Sequence, residues 1–302
     1  MFLNSEFYGK NWSWLNAYRK SNKSNQVYDL ITACLKLGID FFDLADIYGR
    51  GKCEELVGEV LKEHPDLRDK MYIQSKVGIA YKTCGYDNSY DYIVSACMES
   101  LKRLNTSYLD SLLIHRPDIF LDADEVYKAV KYLKDKGYIK DFGLSNFNTS
   151  EIEYLKSRNI DIKYNQISLG LGNTLMLDQV MYTNVPTTKV DYADSDLFFY
   201  MKRNNIYIQA WSPFIYGFFE GSIFDEKKYP LINQVLEKYA SIYHTSKCAI
   251  AGAFILKLDK NLILFTGSTS IDHIKECVDG LNINLSKEDW YRIYQECGHL
   301  LP

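Results

Sequence analysis

Strand-like and helix-like segments alternate along almost the whole chain, and this alternation constrains the fold more than any other feature. Short apolar runs bounded by turn residues predict buried strands, whereas an apolar period of about 3.6 residues predicts helices. The predicted strands are a weak candidate at Phe2–Tyr8, then Ile39–Leu44, Met71–Ser75, Leu109–Ile114, Ile139–Gly143, Ile162–Gln166, Ile206–Ala210 and Leu262–Phe265. Eight βα units predict an α/β fold, a (β/α)8 TIM barrel.

Amphipathic segments occupy the intervals between these strands. The predicted helices are Asn25–Leu37, Glu54–Glu63, Ser89–Leu104, Ala123–Lys136, Ser150–Arg158 and Ser195–Asn204, with more from Leu231 onward. One interval, residues 167–194, is long for a βα connection and is able to form a lid or subdomain. Because α/β barrels routinely reach this size, we expect a single domain over residues 1–302 that carries this long loop.

Charge and cysteine usage narrow the function classes. A formal charge of -4 in 302 residues gives no broad attraction to nucleic acid or acidic lipid, so a small-molecule partner is favoured. The sequence shows neither a signal peptide nor an apolar run of about 20 residues, which predicts a cytoplasmic protein without a membrane partner. The seven cysteines are widely spaced, and we expect reduced thiols that pack as small apolar side chains.

Polar side chains recur where the predicted strands end. Asp43 and Tyr48 stand at the end of the strand that begins at Ile39, Lys76 follows the next strand, and further polar or aromatic residues follow the others. These further residues are His115, Ser145, Asn146, Gln166 and Trp211. Active sites of (β/α)8 barrels lie at the carboxyl ends of the strands, so these positions predict a binding site for a small ligand.

Several of these positions lie in motifs that resemble the signatures of the aldo-keto reductase family. The motifs are Phe42–Gly49, Lys76, Leu113–Pro117 and Gly143–Phe147, in the family's order and spacing. Ala210–Pro213, Gly267–Ser268 and Leu285–Tyr291 extend the resemblance over nearly the whole chain. Asp46–Gly49 followed by Cys53–Glu54 is most similar to a bacterial subgroup of uncharacterised oxidoreductases.

The resemblance implies a catalytic tetrad of Asp43, Tyr48, Lys76 and His115, with Tyr48 as the proton donor to a substrate carbonyl. A tyrosine hydroxyl ordinarily has a pKa of about 10, so a nearby cation would help it to release a proton. Lys76 would supply that charge, worth about 4 kcal/mol at about 4 Å and an effective dielectric of about 20. Asp43 would orient Lys76, and His115 would align the carbonyl oxygen.

The resemblance also implies a nicotinamide cofactor, and it assigns residues to each part of that molecule. The carboxamide would be bound by Ser145, Asn146 and Gln166, and the nicotinamide ring would stack on Trp211. The pyrophosphate loop corresponds to Ser212, Phe214 and Gly217, and the segment around the adenosine phosphate corresponds to Gly267, Ser268 and Thr269. Backbone N–H groups in such segments are suited to bind anions.

Two departures from the family pattern concern the cofactor. His273 stands where many members have an arginine against the adenine and 2'-phosphate, and Glu276 follows three residues later. The expected cofactor is NADP. NAD is the alternative, because a neutral histidine has neither the permanent charge nor the forked geometry of arginine. The loop Phe214–Phe219 is bulkier than in related members and would narrow the cofactor entrance.

The sequence therefore predicts an NAD(P)H-dependent oxidoreductase that reduces an aldehyde or ketone to an alcohol. A second hypothesis is a sensory or regulatory module that holds the nicotinamide with little turnover. A third, a metal-dependent hydrolase that uses Asp43, Asp46 and His115, lacks a closely spaced histidine pair, so no metal is expected. Neither the residues nor the resemblance assigns a particular carbonyl substrate or an oligomeric state.

Overall fold

A computed structural model of the protein describes residues 23–80, 83, 85–183, 185 and 196–302. The predicted strand at Phe2–Tyr8 lies outside the described residues. The strands are β1 (Phe41–Asp43), β2 (Tyr72–Val77), β3 (Leu109–Ile114), β4 (Ile139–Ser145), β5 (Tyr164–Ser168), β6 (Tyr207–Trp211) and β7 (Leu262–Leu264). They follow one another in chain order in one seven-stranded sheet.

Helices separate the strands, as the apolar periodicity predicts. They are α1 (Lys23–Lys36), α2 (Lys52–Glu63), α3 (Tyr90–Arg103), α4 (Ala123–Asp135), α5 (Thr149–Lys156), α6 (Leu175–Met181), α7 (Leu197–Arg203), α8 (Pro230–Tyr243), α9 (Lys247–Leu256), α10 (Ile271–Asp279) and α11 (Lys287–Glu296). Short 3-10 turns occupy Tyr48–Gly51, Pro65–Lys70 and Gly280–Asn282. Helix α6 lies within the long segment 167–194.

The chain divides into two compact units. The first comprises the chain up to Asn165 together with Gly267–Ile271, and the second comprises Gln166–Thr266 and Asp272–Pro302. Among the residues with described positions, no helix has both the length and the apolar character needed to cross a bilayer.

In the first unit, parallel pairing aligns the carboxyl ends of β1 to β4. Asp43 pairs with Gln74, and Lys76 pairs with Leu113. Backbone hydrogen bonds continue past the strand ends, because the Asp46 N–H donates to the Lys76 carbonyl over 3.0 Å. In the same way the His115 N–H donates to the carbonyl of Val77 over 2.8 Å. Residues that directly follow these strands are therefore held in register as firmly as the strands themselves.

Close helix packing supports this sheet. Gly58 of α2 lies so near α3 that a Cβ atom there would be 1.9 Å from the carbonyl oxygen of Arg103. Only glycine permits that approach, because any side chain would overlap the neighbouring backbone. Helix α3 begins at a serine cap, in which the Ser89 hydroxyl accepts the N–H of Tyr92. The two helices thereby form a fixed layer over β2.

The second unit has its own apolar centre. Strands β6 and β7 are parallel, with Ile208 opposite Leu262. Helix α9 is buried over Cys248–Ile255 and packs against α11, where the Trp290 ring stacks on Phe254 at 4.7 Å. The Trp290 Nε1–H also donates to the Phe254 carbonyl over 2.8 Å. A helix that is apolar on all sides, as α9 is, requires this kind of surrounding.

Candidate active site

The carboxyl ends of β1 and β2 bring a lysine, a carboxylate and a phenol together within the first unit. The side chains of Asp43 and Lys76 are 0% exposed, and Lys76 Nζ donates to Asp43 Oδ2 over 2.7 Å. The same nitrogen donates to the Leu44 carbonyl over 2.8 Å and to the Tyr48 hydroxyl over 3.2 Å. An ammonium group has three N–H donors, so these bonds use all of them. The Tyr48 oxygen therefore accepts from Lys76 and keeps its own proton.

A tight turn after β1 places Tyr48 beside Lys76. The Tyr48 N–H donates to the Ala45 carbonyl over 3.0 Å, and the 3-10 turn Tyr48–Gly51 follows. Gly49 and Gly51 have φ angles of 56° and 86°, a backbone region that glycine adopts without strain. The Gly-x-Gly pattern at 49–51 thus serves the turn that leads into α2. It is not a dinucleotide fingerprint.

A second buried chain of hydrogen bonds holds Asp43 from the other side. Gln74 Nε2 donates to Asp43 Oδ1 over 2.6 Å, and the Ser111 hydroxyl donates to Gln74 Oε1 over 2.9 Å. Gln74 and Ser111 are both fully buried. Each Asp43 oxygen therefore has a partner, which a buried carboxylate requires if it is to remain ionised. Sequence reasoning missed both residues, although a polar side chain inside an otherwise apolar strand was a usable signal.

A further buried carboxylate, from α2, contacts Ser75 of β2. Glu54 is fully buried, and it accepts from the Ser75 hydroxyl over 2.6 Å and from Arg103 Nε over 2.7 Å. Asp46 lies close to this group. Burial, with a further contribution from Glu54, raises the pKa of Asp46 to about 7. Asp46 Oδ1 is buried and has no hydrogen-bond partner among the residues that the structure describes.

His115 directly follows β3, and its ring makes an edge-to-face contact with the Tyr48 ring. The ring centroids are 5.7 Å apart at an interplanar angle of 82°. Burial, together with the nearby charges of Lys76 and Arg116, holds the pKa of His115 well below its usual range. The imidazole is therefore neutral at physiological pH, with a proton on one nitrogen only. Within the described part of the chain, its buried Nδ1 has no hydrogen-bond partner.

Lys76 experiences two opposing influences. Burial lowers the pKa of its ammonium group, and the neighbouring carboxylate of Asp43 acts in the opposite direction. The net direction is downward from the ordinary value. The sequence predicts Lys76 directly after a strand that ends at Ser75. In the structure β2 continues to Val77, so Lys76 lies inside the strand. The four residues of the predicted tetrad thus lie together at one edge of the first unit.

The first unit also contains five residues that the resemblance assigns to cofactor binding. Ser145 ends β4, next to the strand that precedes His115, and its hydroxyl accepts from Asn146 Nδ2 over 2.8 Å. Asn146 adopts a φ of 63°, which asparagine tolerates better than most residues. Gly267 and Ser268 are half-buried and Thr269 is exposed. In this segment the Ser268 hydroxyl accepts the N–H of Ser270 over 3.0 Å.

In the second unit, Gln166 and Trp211 are buried. Gln166 lies inside β5 rather than after a strand, and its Nε2 donates to Gln209 Oε1 over 3.1 Å. Trp211 ends β6 and is only 7% exposed, and two phenylalanines of the following loop lie beside it. The Phe219 ring is 5.8 Å from the indole at 31°, and the Phe218 ring is 6.3 Å away at 83°. The bulky loop that the sequence indicated therefore covers the ring to which stacking is assigned.

The loop after β6 contains the residues assigned to the pyrophosphate. Ser212 has a φ of 50°, and its buried hydroxyl has no hydrogen-bond partner among the residues with described positions. Gly217 has a φ of 53°, and its N–H donates to the Gly172 carbonyl over 2.8 Å. Phe214 is half-buried against Phe224, with 5.5 Å between ring centroids. Ser212 is thus a polar group that a ligand oxygen would satisfy.

Helix α10 carries the two remaining predicted residues. His273 is exposed and Glu276 is half-buried. Helix α10 follows Gly267–Thr269 along the chain. No cluster of three or more potential metal ligands occurs within the described ranges.

The amino-acid sequence is similar to those of known bacterial oxidoreductases. A profile of the aldo/keto reductase family matches residues 9–296. The chain is 30% identical over 279 residues to Oxidoreductase YdhF of Escherichia coli K12, covering 89% of this chain and 87% of that protein. It is 28% identical over 280 residues to the uncharacterized oxidoreductase YcsN of Bacillus subtilis 168, covering 89% and 87%. These relatives confirm the predicted similarity to bacterial oxidoreductases.

Solved structures confirm the predicted fold class. An aldo/keto reductase of Klebsiella pneumoniae, solved in complex with NADP and acetate, aligns with a TM-score of 0.74 at 20% identity. The alignment covers 100% of this chain and 92% of that one. The fold is thus the α/β, (β/α)8 barrel type that eight alternating units predict. With the profile match over nearly its whole length, the chain belongs to the aldo/keto reductase family.

Proposed function

We propose that the protein is an NAD(P)H-dependent oxidoreductase that reduces an aldehyde or ketone to an alcohol, with Tyr48 as the proton donor. One observation carries the role of Tyr48: the fully buried Lys76 ammonium lies between Asp43 Oδ2 at 2.7 Å and the Tyr48 hydroxyl at 3.2 Å. Family membership supports the reaction type. The small-molecule carbonyl substrate belongs to the same proposal.

The proton transfer follows from the charges around Tyr48. When the carbonyl oxygen gains electron density, it takes the hydroxyl proton of Tyr48 and leaves a tyrosinate beside Lys76. At 3.2 Å and an effective dielectric of about 20, the attraction between that tyrosinate and the ammonium is about 5 kcal/mol. This figure is an upper guide, because Asp43 already offsets part of the ammonium charge. Gln74 and Ser111 fix the Asp43 carboxylate, so Lys76 keeps its position throughout the step.

His115 has a separate role in this proposal. Its depressed pKa keeps the imidazole neutral, so one ring nitrogen donates a hydrogen bond and the other accepts one. A neutral donor beside Tyr48 aligns the carbonyl oxygen without adding a competing acid. Its neutrality also avoids a second positive charge next to Lys76. Tyr48 therefore remains the single proton donor in the proposed reaction.

The expected cofactor is NADP, with NAD as the alternative. When bound, the reduced nicotinamide supplies the hydride. The residues present fit such a molecule, because the buried Ser212 hydroxyl has no partner in the described part of the chain and would be satisfied by a phosphate oxygen. The nicotinamide end of the cofactor would be held by Ser145, Asn146, Gln166 and Trp211. The resemblance assigns further residues to the rest of the cofactor. These are Phe214, Gly217, Gly267, Ser268, Thr269, His273 and Glu276.

The test is turnover of the Tyr48→Phe variant. Purified protein, NADPH or NADH and a panel of aldehydes and ketones should show loss of absorbance at 340 nm. Tyr48→Phe should reduce that rate by about 10² to 10⁴-fold, which is the usual contribution of a positioned acid. Its affinity for NADPH, followed by tryptophan fluorescence, should stay unchanged.

Tyr164→Phe is the matched control. Tyr164 is also a buried tyrosine, but it begins β5, and its hydroxyl bonds with that of Tyr72 over 2.9 Å at the amino ends of the strands. This variant should turn over at the rate of the unmodified protein. Unchanged turnover in Tyr48→Phe, with a substrate that the unmodified protein reduces, would refute the assigned proton donor.

A second candidate function is a sensory or regulatory module that binds nicotinamide with little turnover. The covering of Trp211 by Phe218 and Phe219 favours it, because a ring that must stack on the indole has to displace them. Tight NADPH binding without turnover of any carbonyl in the panel would support this candidate. Turnover at ordinary enzymatic rates would count against it.

A further inference from the structure

Two cysteines that are far apart in sequence meet in the second unit. Cys248 is the second residue of α9, and Cys277 lies near the end of α10. Their sulfur atoms are 2.8 Å apart. The S–S bond of a disulfide is about 2.05 Å, so the two sulfurs would need to approach by only about 0.8 Å to become bonded. Neither residue belongs to the proposed proton-transfer site.

The backbone around the pair is closely packed. Gly280 follows α10, and a Cβ atom there would lie 2.8 Å from the carbonyl oxygen of Ala249 in α9. Gly252 of α9 also faces α10, because a Cβ atom there would lie 3.9 Å from the Cys277 carbonyl oxygen. These glycines let α9 and the end of α10 approach each other without intervening side chains. The short sulfur distance is therefore a consequence of helix packing.

A hydrogen-bonded chain also prepares one sulfur for reaction. The Cys277 thiol donates to the Thr266 hydroxyl over 3.7 Å, so the Cys248 thiol is the donor to the Cys277 sulfur. That bond from Cys248 lowers the pKa of Cys277, against the opposing effect of burial. The thiolate is the reactive form of cysteine. Cys248 and Cys277 are buried residues that retain exposed fractions of 7% and 8%.

We propose that Cys248 and Cys277 form a reversible disulfide, which makes this pair a redox-sensitive modification site that links α9 to α10. Hydrogen peroxide is the oxidant class. The Cys277 thiolate attacks one peroxide oxygen, the O–O bond breaks, and hydroxide leaves to give a sulfenic acid. The Cys248 sulfur then displaces the sulfenic oxygen as water and loses its proton. Overall, two thiols and one peroxide give one disulfide and two waters, and a dithiol reductant reverses the change.

The disulfide would act on the end of the proposed cofactor site that α10 carries. Glu276 directly precedes Cys277, and His273 lies one helical turn earlier. Both are among the predicted cofactor-binding residues, with His273 at the position that faces the adenine and 2'-phosphate, and a shift of Cys277 toward Cys248 moves them with the helix. We expect oxidation to weaken NADPH binding by about fivefold or more, the lower end of usual coupling between sites. This consequence rests on the proposed function, whereas formation of the disulfide does not.

The first experiment maps the bond in the full-length protein. After treatment with equimolar hydrogen peroxide and alkylation under denaturing conditions, the thiol count should fall from seven to five. Mass spectrometry of the digested protein should show the peptides of Cys248 and Cys277 joined, and dithiothreitol should release them. Cys248→Ser should abolish the loss of two thiols. Cys297→Ser is the matched control, because Cys297 is equally buried and should leave the linkage intact.

The second experiment measures NADPH affinity before and after oxidation. A fivefold or larger rise in Kd that is reversed by dithiothreitol and absent in Cys248→Ser supports the whole proposal. Absence of the joined peptides, or a linkage between other cysteines, overturns it. A mapped disulfide with unchanged Kd overturns the effect on the cofactor site. If the reduced protein binds neither NADPH nor NADH, the proposed function fails, and the peptide map still decides whether the disulfide forms.

Discussion

Replacement of Asp46 by asparagine should stabilise the protein at pH 8 and should do so much less at pH 5.5. Asp46 is buried, its Oδ1 has no hydrogen-bond partner among the residues described, and its pKa is raised to about 7 by burial and by Glu54. In the unfolded chain the same carboxyl has a pKa of about 3.9. The folded protein therefore binds this proton more tightly than the unfolded chain does. The contribution of Asp46 to stability is greatest at low pH and is lost as the pH rises through 7.

The two pKa values fix the size of the effect. Relative to low pH, where the carboxyl is protonated in both states, the titration of Asp46 lowers the unfolding free energy by about 2 kcal/mol at pH 5.5 and by about 4 kcal/mol at pH 8. Asparagine does not titrate, so it removes this pH dependence. The difference in unfolding free energy between Asp46→Asn and the unmodified protein should shift in favour of the variant by about 2 kcal/mol between pH 5.5 and pH 8. Comparing two pH values cancels any fixed cost of the amide.

Urea unfolding of both proteins at pH 5.5, 6.5, 7.5 and 8 measures this shift. Asp66→Asn is the control, because Lys70 lowers the pKa of the exposed Asp66 and the carboxyl stays ionised across this range. Its effect on stability should therefore be the same at every pH. If the difference between Asp46→Asn and the unmodified protein is also constant with pH, Asp46 has no raised pKa and the reasoning is wrong.

Two further predictions concern packing and the hydrogen bonds behind Asp43. Gly58→Ala should destabilise the protein by about 3 kcal/mol in urea unfolding, because its Cβ would overlap the Arg103 carbonyl, and a near-neutral effect would refute that close approach. The matched change Gly252→Ala, where the nearest atoms are 3.9 Å from the new Cβ, should stabilise α9 by about 0.5 kcal/mol or more. Gln74→Leu should lower the unfolding free energy by about 2 kcal/mol, because it removes a hydrogen bond to the buried Asp43 carboxylate. Unaltered stability in Gln74→Leu would show that Asp43 does not need that partner.

The strands could be predicted from sequence because their apolar runs are bounded by turn residues. Leu109–Ile114 has the predicted bounds, and the other described strands differ at one or both ends. β2 extends to Val77 because Lys76 pairs with Leu113, and a charged residue inside a strand is invisible to a hydrophobic pattern. Helix α6 was not predicted, because a seven-residue helix within a long connection has too few turns to show a period.

The tetrad positions could be predicted because they lie at or near the carboxyl ends of strands, within recognisable motifs. A search near strand ends could not find Gln74, Ser111 and Glu54. The hydrogen bonds that these buried side chains make depend on which strand or helix each one faces. The pairing of Cys248 with Cys277 had no local signal in the sequence. The two residues are 29 positions apart, and only the packing of α9 against the end of α10 brings their sulfurs together.

The burial of the Asp43–Lys76 pair decides how a folded but inactive form of this protein can be made. Removing Lys76 would leave Asp43 as an unpaired buried charge, a change that costs about 3 to 5 kcal/mol and threatens the fold. Removing only the Tyr48 hydroxyl leaves the pair and its hydrogen bonds to Gln74 and Leu44 intact. Tyr48→Phe is therefore the form to use as bait, incubated with NADPH and cell extract, to retain the natural carbonyl compound for identification by mass spectrometry.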